Sequence, residues 1–284
     1  MRKRLLYLFL GILLICLIGG WFVFSKWIRP NHYQLLRPYT VSTGEMLTST
    51  GTRLGKNGSL QILIPAGTAI VGKDGYQEVI TLPDYWIDQR PVTIRDYKEC
   101  FQQGQCDWPH YRGEYEKYFS SFIYRWLPVT FVSWLQAESY CEQMGGHLPT
   151  EAQWEKATRG PDGIVTLWAD DDDALKDYRM ANLDLFYSFL TPSGWLPQSA
   201  GPYGLLDTAG NVREWVIDVY QGDDAAVQQG GWTDLVLDRY ENVPRILKGG
   251  SFLDDTAHVR FTARDAHEAN SPGLNRGFRC AFEE

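Results

Sequence analysis

The 284-residue chain lacks the signatures of several common enzyme classes. It has no phosphate-binding P-loop, no glycine-rich dinucleotide fingerprint and no nucleophile elbow, and its five histidines show no H-x-x-x-H metal spacing. Basic residues are scarce after the N-terminus: from residue 30 onward, 22 Lys and Arg stand against 35 Asp and Glu, a net charge of −13. A surface of this sign repels nucleic acid and anionic head groups, so neither is an expected partner.

Long helical periodicities are also scarce, whereas rings and glycine are abundant, with 11 Trp, 16 Tyr and 27 Gly. This composition favours short strands, turns and irregular loops around a core filled by large side chains. Residues 59–72 and 78–93 are predicted to form strands. Helices are predicted within residues 93–104, 132–146 and 148–160, and Thr150 with Gln153 has the spacing of a capping box.

The N-terminus predicts a membrane anchor. Arg2, Lys3 and Arg4 precede residues 5–24, which carry no charge and are numerous enough to cross a bilayer as a helix. A cleaved signal peptide is the competing interpretation, but its apolar region is shorter and ends in small residues, whereas this one ends in bulky residues 21–24. The leading positive charge predicts a single-pass protein of the bacterial inner membrane with a cytoplasmic N-terminus and a periplasmic domain. We predict an anchor over 1–29, a tether over 30–57 and a folded domain over 58–284.

The cysteines predict disulfides if the domain is exported. Cys16 lies in the apolar segment, which leaves an even set of four with three possible pairings. The short loop between Cys100 and Cys106 closes easily and is the first expected pair. Cys141 and Cys280 then remain for the second.

Six segments in order resemble the formylglycine-generating enzyme family, also called sulfatase-modifying-factor domains. They are "LIPAGTAIVG", "YWIDQRPVTIRDY", "LPVTFVSWLQAESYCEQMGGHLPTEAQWEKATRG", "GPYGLLDTAGNVREWVIDVY", "RILKGGSF" and "GLNRGFRCAF", and they span about residues 60–284. The resemblance implies an α+β fold, a variant of the C-type-lectin fold with little regular secondary structure, here preceded by one transmembrane helix. It also supports the pairing of Cys141 with Cys280.

The resemblance further implies structural calcium. The first site would use the carboxylates of Asp207 and Glu214 and the backbone carbonyls of Gly210 and Val212, which are hard oxygen ligands. A second site would use Asn182 and the Leu183 carbonyl. Its downstream acid has no clear match, and Asp184 is a substitute. The alternative is that Asp207 only forms a turn and Glu214 is a surface acid.

The residues that carry the chemistry of the family are missing. Active members use two cysteines shortly after the G-G-S motif to bind copper and activate oxygen. Here the corresponding positions after Gly249–Ser251 are Asp254 and Val259. A carboxylate cannot form a mixed disulfide and valine coordinates nothing, while Arg213 stands where active members usually carry Trp. The sequence therefore predicts no formylglycine formation and no copper.

Three functions stay open. The first is a membrane-anchored, non-catalytic module that binds a protein or small ligand in the periplasm, as members serving secretion systems or membrane kinases do. The second is a periplasmic enzyme of altered chemistry, similar to a family member required for siderophore maturation, with Ser251, Asp254 and His258 as its candidate residues. The third is a purely structural lectin-like module. A bland interpretation of the candidate residues is a turn at Asp254 and an exposed His258.

Overall fold

The computed structural model describes residues 51–73, 75–167, 180–228 and 243–283. The predicted membrane segment 5–24 and most of the tether lie outside these residues. Within the part of the chain that is described, no helix is both long and apolar enough to cross a bilayer.

The folded domain begins earlier than the predicted boundary at residue 58. Its first strand starts at Thr52 and pairs antiparallel with the strand that starts at Leu60. Between them the chain turns through Asn57 and Gly58, whose φ of 75° suits glycine. Asn-Gly is a strong hairpin signal, so residues 52–57 belong to the domain rather than to the tether.

Ten short strands carry the domain within the described residues. They are β1 Thr52–Leu54, β2 Leu60–Ile64, β3 Gly67–Val71, β4 Glu78–Leu82, β5 Tyr85–Asp88, β6 Arg213–Val219, β7 Pro244–Lys248, β8 Asp265–Glu268, β9 Arg276–Gly277 and β10 Ala281–Phe282. One antiparallel sheet has the order β1-β2-β5-β10, β3 and β4 form a hairpin, and a third sheet has the order β8-β7-β6-β9. The third sheet has one parallel pair, β6 with β9.

At one end of the third sheet, which we call its convergent edge, strands β6, β8 and β9 begin and strand β7 ends. Residues Glu214 and Lys248 pair across β6 and β7, so β6 begins where β7 ends. Asp265, the first residue of β8, pairs with Leu247, and Arg276, the first residue of β9, pairs with Arg213. Loops that leave this edge therefore converge.

The described residues form four α-helices, α1 Ile94–Gln102, α2 Glu116–Ser120, α3 Trp134–Met144 and α4 Glu151–Arg159. Three of the four lie where the sequence predicts them, and each of these three begins at a side-chain cap, whereas the short helix α2 was not predicted and has no such cap. The predicted capping box of α4 is confirmed, because the Thr150 side chain accepts from the Gln153 N–H and the Gln153 side chain accepts from the Thr150 N–H. Helix α3 ends at Gly145 in the left-handed conformation.

Large rings fill the core, as the composition predicts. In the largest cluster Tyr97 stacks on Tyr140 with ring centroids 5.4 Å apart, and Phe278 meets Tyr140 edge-on. Both predicted disulfides are confirmed, with Cα–Cα distances of 5.4 Å for Cys100–Cys106 and 5.5 Å for Cys141–Cys280.

A network of charged side chains is buried between α4 and the third sheet. Lys248 donates to Glu151 at 3.1 Å and to Glu155 at 2.8 Å. Asp218 of β6 accepts from the Glu151 backbone N–H at 2.6 Å through Oδ2, while its buried Oδ1 has no hydrogen-bond partner among the described residues. Burial, followed by the nearby charge of Glu151, raises the pKa of Asp218 to about 7.

This raised pKa predicts that Asp218 lowers the stability of the domain as pH rises. Below pH 4 the carboxyl is protonated in both states, but between pH 4 and 7 the folded state retains a proton that the unfolded state has lost. Urea unfolding of the full chain at pH 5 and pH 8 should therefore show the wild type losing about 2.5 kcal/mol more than Asp218→Asn. Asp224→Asn, at an exposed position, serves as the control and should show the wild-type change in the free energy of unfolding between pH 5 and pH 8. An equal change for wild type and Asp218→Asn would contradict a carboxyl that titrates near neutrality.

Candidate functional site

The turn that follows β7 positions the first candidate residue. Gly249 and Gly250 have φ angles of 86° and 68°, and a side chain at Gly250 would collide with Val259. The turn places Ser251 in a fully buried position, and the Phe252 N–H donates to the Asn211 carbonyl at 3.1 Å. Glycine is therefore required at positions 249 and 250 for the chain to make the turn that buries Ser251.

Ser251 and Asp254, two of the three candidate residues for an enzyme, lie in one turn, in which the Asp254 N–H donates to the Ser251 carbonyl at 3.0 Å. Both the N–H and the hydroxyl of Ser251 donate to Asp254 Oδ2 at 2.7 Å. Asn275 donates from Nδ2 to Ser251 Oγ at 3.1 Å. The serine hydroxyl is thus held between an acceptor and a donor, with its own proton directed at the carboxylate.

Asp254 forms an ion pair with the other residue that departs from the active-enzyme pattern. Arg213 Nη2 lies 2.6 Å from Asp254 Oδ1, and Arg213 Nη1 lies 3.0 Å from Asp265 Oδ2. The side chain of Asp254 is 13% exposed and that of Arg213 is 20% exposed, so water screens the pair only partly. A short, half-buried ion pair occupies the place where active members have a thiol.

His258 does not join this group. It lies in a short 3₁₀ turn, its side chain is 68% exposed, and its Nδ1 lies 2.6 Å from Asp255 Oδ1. The interpretation of an exposed histidine was therefore the better one. Val259, at the second thiol position, is fully buried in a hydrophobic cluster and offers no ligand atom.

Three members of the site, Asp265, His267 and Arg276, were not identified from the sequence. His267 lies in β8, and both of its ring nitrogens are within 3.0 Å of Arg276 Nη2. Its Nε2 lies 3.4 Å from Asp265 Oδ2. Burial and then the charge of Arg276 lower the pKa of His267, so the ring is neutral at pH 7 and can accept. The alternation in "DAHE" was the available signal, but it is too short to place a strand.

An aromatic groove of about 310 Å³ is lined in part by Phe252 and Leu253, the two residues before Asp254. Its walls include Tyr118, Phe189 and Phe252, with ring centroids 4.9 Å apart for Tyr118–Phe189 and 5.7 Å apart for Phe189–Phe252. Because Phe252 directly follows Ser251, the groove and the polar group share one turn. Apolar walls beside a few fixed polar groups are typical of ligand sites.

A tight loop forms one rim of this groove. Asp184, Leu185 and Ser188 have positive φ angles of 51°, 56° and 62°, which non-glycine residues adopt at a cost. The Leu185 N–H donates to the Phe252 carbonyl at 2.9 Å, which fixes the loop on the candidate site. The loop presents Leu185 and Phe186 to solvent as an apolar rim.

The first predicted calcium site contains a competing cation. Both oxygens of Glu214 accept from Arg279, from Nε and Nη2 at 2.6 Å each, and Glu214 Oε2 also accepts from Trp154 Nε1 at 2.8 Å. The two charged side chains are buried. The Glu214 carboxylate is therefore already neutralised and does not fit the role of a calcium ligand in this arrangement.

Two other oxygens near the predicted calcium positions have no such partner. Asp207 Oδ2 accepts from the Gly194 N–H at 2.6 Å, but its buried Oδ1 has no hydrogen-bond partner among the described residues. The same holds for Asn182 Oδ1, whose amide nitrogen donates to Asn211 and to Phe189. Burial raises the pKa of Asp207 to about 6. Asp207, in the first predicted calcium site, and Asn182, in the second, therefore each offer one oxygen that fits a hard cation, whereas Glu214 does not.

Comparison with known proteins covers the whole described domain. The model of the sulfatase-modifying factor enzyme 1-like domain family matches residues 49–284. The inactive C-alpha-formylglycine-generating enzyme 2 of Bos taurus is 27% identical over 74% of this chain and 81% of its own length. The serine/threonine-protein kinase Pkn1 of Chlamydia trachomatis serovar L2 is 32% identical over 71% of this chain, which spans only 34% of the kinase. The structure of PvdO from Pseudomonas aeruginosa superposes with a TM-score of 0.64 at 18% identity, covering 85% of this chain and 100% of that one.

Proposed function

Since the chain belongs to the family of sulfatase-modifying factor enzyme 1-like domains, we propose that it is a membrane-anchored, extracytoplasmic member without formylglycine-generating activity that binds a partner. The observation that carries the proposal is the Arg213–Asp254 ion pair at 2.6 Å, which occupies the thiol position beside a preformed groove. The partner is a protein or a small ligand of the periplasm.

Loss of the oxidative chemistry follows from the groups present. Copper activation of oxygen needs soft thiolate ligands, and the two positions hold a carboxylate that is paired with a guanidinium and a valine that is part of the core. The likeness to a relative that is itself named inactive supports the same conclusion. We expect neither copper binding nor formylglycine formation at Asp254.

A binding role is supported by the shape and rigidity of the groove. Tyr118, Phe189 and Phe252 offer ring faces, and the 184–188 loop is held by backbone hydrogen bonds to Phe252 and Asp254. A preordered site loses little conformational entropy when a ligand binds. The two disulfides reduce that cost further, and calcium at Asp207 and Asn182 would do the same. The likeness to a kinase supports a partner of the membrane-kinase type, beside the secretion-system type.

Photo-crosslinking from the groove tests this proposal. A photoreactive phenylalanine analogue replaces Tyr118 in the full chain in native membranes, and the same analogue at Tyr76, an exposed residue of the β3–β4 turn, is the matched control. We expect one stoichiometric protein partner from position 118 and none from position 76. With the purified partner, Tyr118→Ala should weaken binding about thirtyfold, as for a buried aromatic anchor. Asp254→Ala should retain the partner.

An enzyme of altered chemistry, such as one that oxidatively matures a secreted metabolite like a siderophore, is the second candidate. The observation in its favour is the Ser251 hydroxyl, which is polarised by Asp254 at 2.7 Å. The likeness to PvdO supports only the shared fold. The two candidates differ in one outcome: a bound small molecule that disappears in Asp254→Ala and is recovered chemically changed, with no crosslinked protein, would favour the enzyme and reject the binding module.

A further inference from the structure

A second surface, whose lining residues differ from those of the aromatic groove, combines cations with exposed apolar side chains. We call it the α1 patch, and it consists of Arg95, Lys98, Phe122, Ile123, Arg125 and Trp126. Most of these residues line a groove of about 480 Å³ between α1 and residues 120–126. The proposed function does not use this surface.

The apolar part of the α1 patch is an exposed tip formed by residues 122–123. Phe122 and Ile123 are consecutive in a 3₁₀ turn and are 72% and 54% exposed. The next residue, Tyr124, turns inward against Tyr118 with ring centroids 4.7 Å apart. Two adjacent large apolar side chains on one turn, directed away from the core, indicate contact with another apolar phase.

The charged part surrounds this tip. The Arg125 guanidinium lies 3.6 Å from the centre of the Phe122 ring, and Arg95 and Arg125 lie 5.1 Å and 5.3 Å from the centre of the Trp126 ring. With Lys98 the groove has three cations and one acid, Glu99. This local excess of positive charge contrasts with the net charge of −13 after residue 30.

Trp126 adds a hydrogen-bond donor without a partner. Its Nε1 is buried and has no acceptor among the residues that the structure describes. A buried unpaired donor costs free energy that an incoming acceptor recovers. The groove thus has an indole N–H and three cations, of which Arg95 pairs with Glu99 at 3.3 Å and Lys98 donates to the carbonyls of residues 119 and 120 at 3.1 Å each.

We infer that the α1 patch docks the domain on an anionic phospholipid bilayer. Phe122 and Ile123 would enter the acyl boundary, Trp126 would lie at head-group depth, and the cations would contact lipid phosphates. The inference rests on the proposed anchoring through residues 5–24, which keeps a bilayer within reach of the domain. The acidic remainder is repelled by such a surface, so it would orient the α1 patch toward the membrane rather than prevent docking. Exposed apolar side chains beside cations and an indole are the composition that interfacial segments present to an anionic bilayer.

Hydrogen exchange of the full chain in lipid nanodiscs tests this inference. Nanodiscs of phosphatidylcholine alone are compared with nanodiscs rich in phosphatidylglycerol. We expect amides of residues 117–126 to exchange several-fold more slowly only in the anionic discs. Arg125→Gln should weaken this docking about fivefold, the contribution of one cation near an anionic surface. Phe122→Ser should remove the protection seen in the anionic discs. Leu54→Ser, at a position that is equally exposed at 72%, should leave it unchanged.

Three results would overturn the inference. They are equal protection in both lipids, protection that survives Arg125→Gln and Phe122→Ser, and protection produced in neutral discs by added inorganic phosphate. The last result would identify a soluble anion as the ligand. Failure of the anchoring is seen separately, because a chain without an anchor does not co-elute with the neutral discs, and its docking is then measured by sedimentation with anionic vesicles.

Discussion

Arg279→Met is expected to lower the free energy of unfolding by about 3–5 kcal/mol, because it leaves the buried Glu214 carboxylate without its cation. The wild-type guanidinium uses all of its N–H groups. Two bonds reach Glu214, and the others reach the carbonyls of Asp88, Gln89 and Leu206 at 2.8–3.1 Å. One side chain therefore joins β5, β6 and the loop before β6, and its loss also removes a donor from each of these three carbonyls.

The magnitude is measured by urea unfolding of the full chain, followed by tryptophan fluorescence. Arg279→Lys keeps the charge but cannot form the bidentate pair, so it should give an intermediate loss. The double variant Arg279→Met with Glu214→Leu should be more stable than Arg279→Met alone, since it removes the stranded charge. Arg112→Met, on the exposed surface, is the control and should change little.

Chelation separates this account from a calcium ion at the same carboxylate. If Arg279 neutralises Glu214, removing calcium with EGTA leaves the coupling between the two residues unchanged. Any calcium stabilisation should then depend on Asp207 and Asn182 rather than on Glu214. A coupling that vanishes in EGTA would restore Glu214 as a calcium ligand and contradict the role given to Arg279.

Local features of the fold could be predicted from the sequence because their signals are local. The capping box of α4 needs only Thr150 and Gln153, and α3 ends where Gly145 permits a left-handed residue. Where prediction failed locally, at β1, the Asn57–Gly58 turn signal was present but was assigned to the tether. The overall fold was predicted from the resemblance of six segments to a known family, because no local signal indicates how distant strands pair.

The candidate site could be predicted only in part because its pairs are distant in sequence. Arg213 and Asp254 were each identified as departures from the active pattern, but nothing in the sequence joins residues 41 positions apart. Their ion pair depends on β6 beginning at the edge where β7 ends. Likewise, His267 meets Arg276 because β8 pairs with β7 and β9 with β6, and neither pairing has a local signal. The sequence therefore predicted which residues had changed but not that two of them form one pair.

Removing the Cys141–Cys280 disulfide is expected to cost about 5 kcal/mol, whereas removing Cys100–Cys106 should cost about 2 kcal/mol, because the loops they close differ greatly in length. The first bridge spans 139 residues and the second spans 6. The chain thus offers a matched pair of variants, Cys141→Ala with Cys280→Ala and Cys100→Ala with Cys106→Ala. Both are compared with wild type by urea unfolding without reductant.

The cost of removing the long bridge should arise in the unfolded chain rather than in the folded domain. It joins α3 to the residue before β10, beside the reciprocal backbone hydrogen bonds of His147 and Ala281 at 2.8 Å and 2.9 Å. Those bonds remain in the variant, so native contacts change little and the loss arises in the unfolded chain, which gains freedom over half its length. Equal costs for the two bridges would contradict this origin. They would indicate instead that the sulfur atoms stabilise the domain by packing in the folded state.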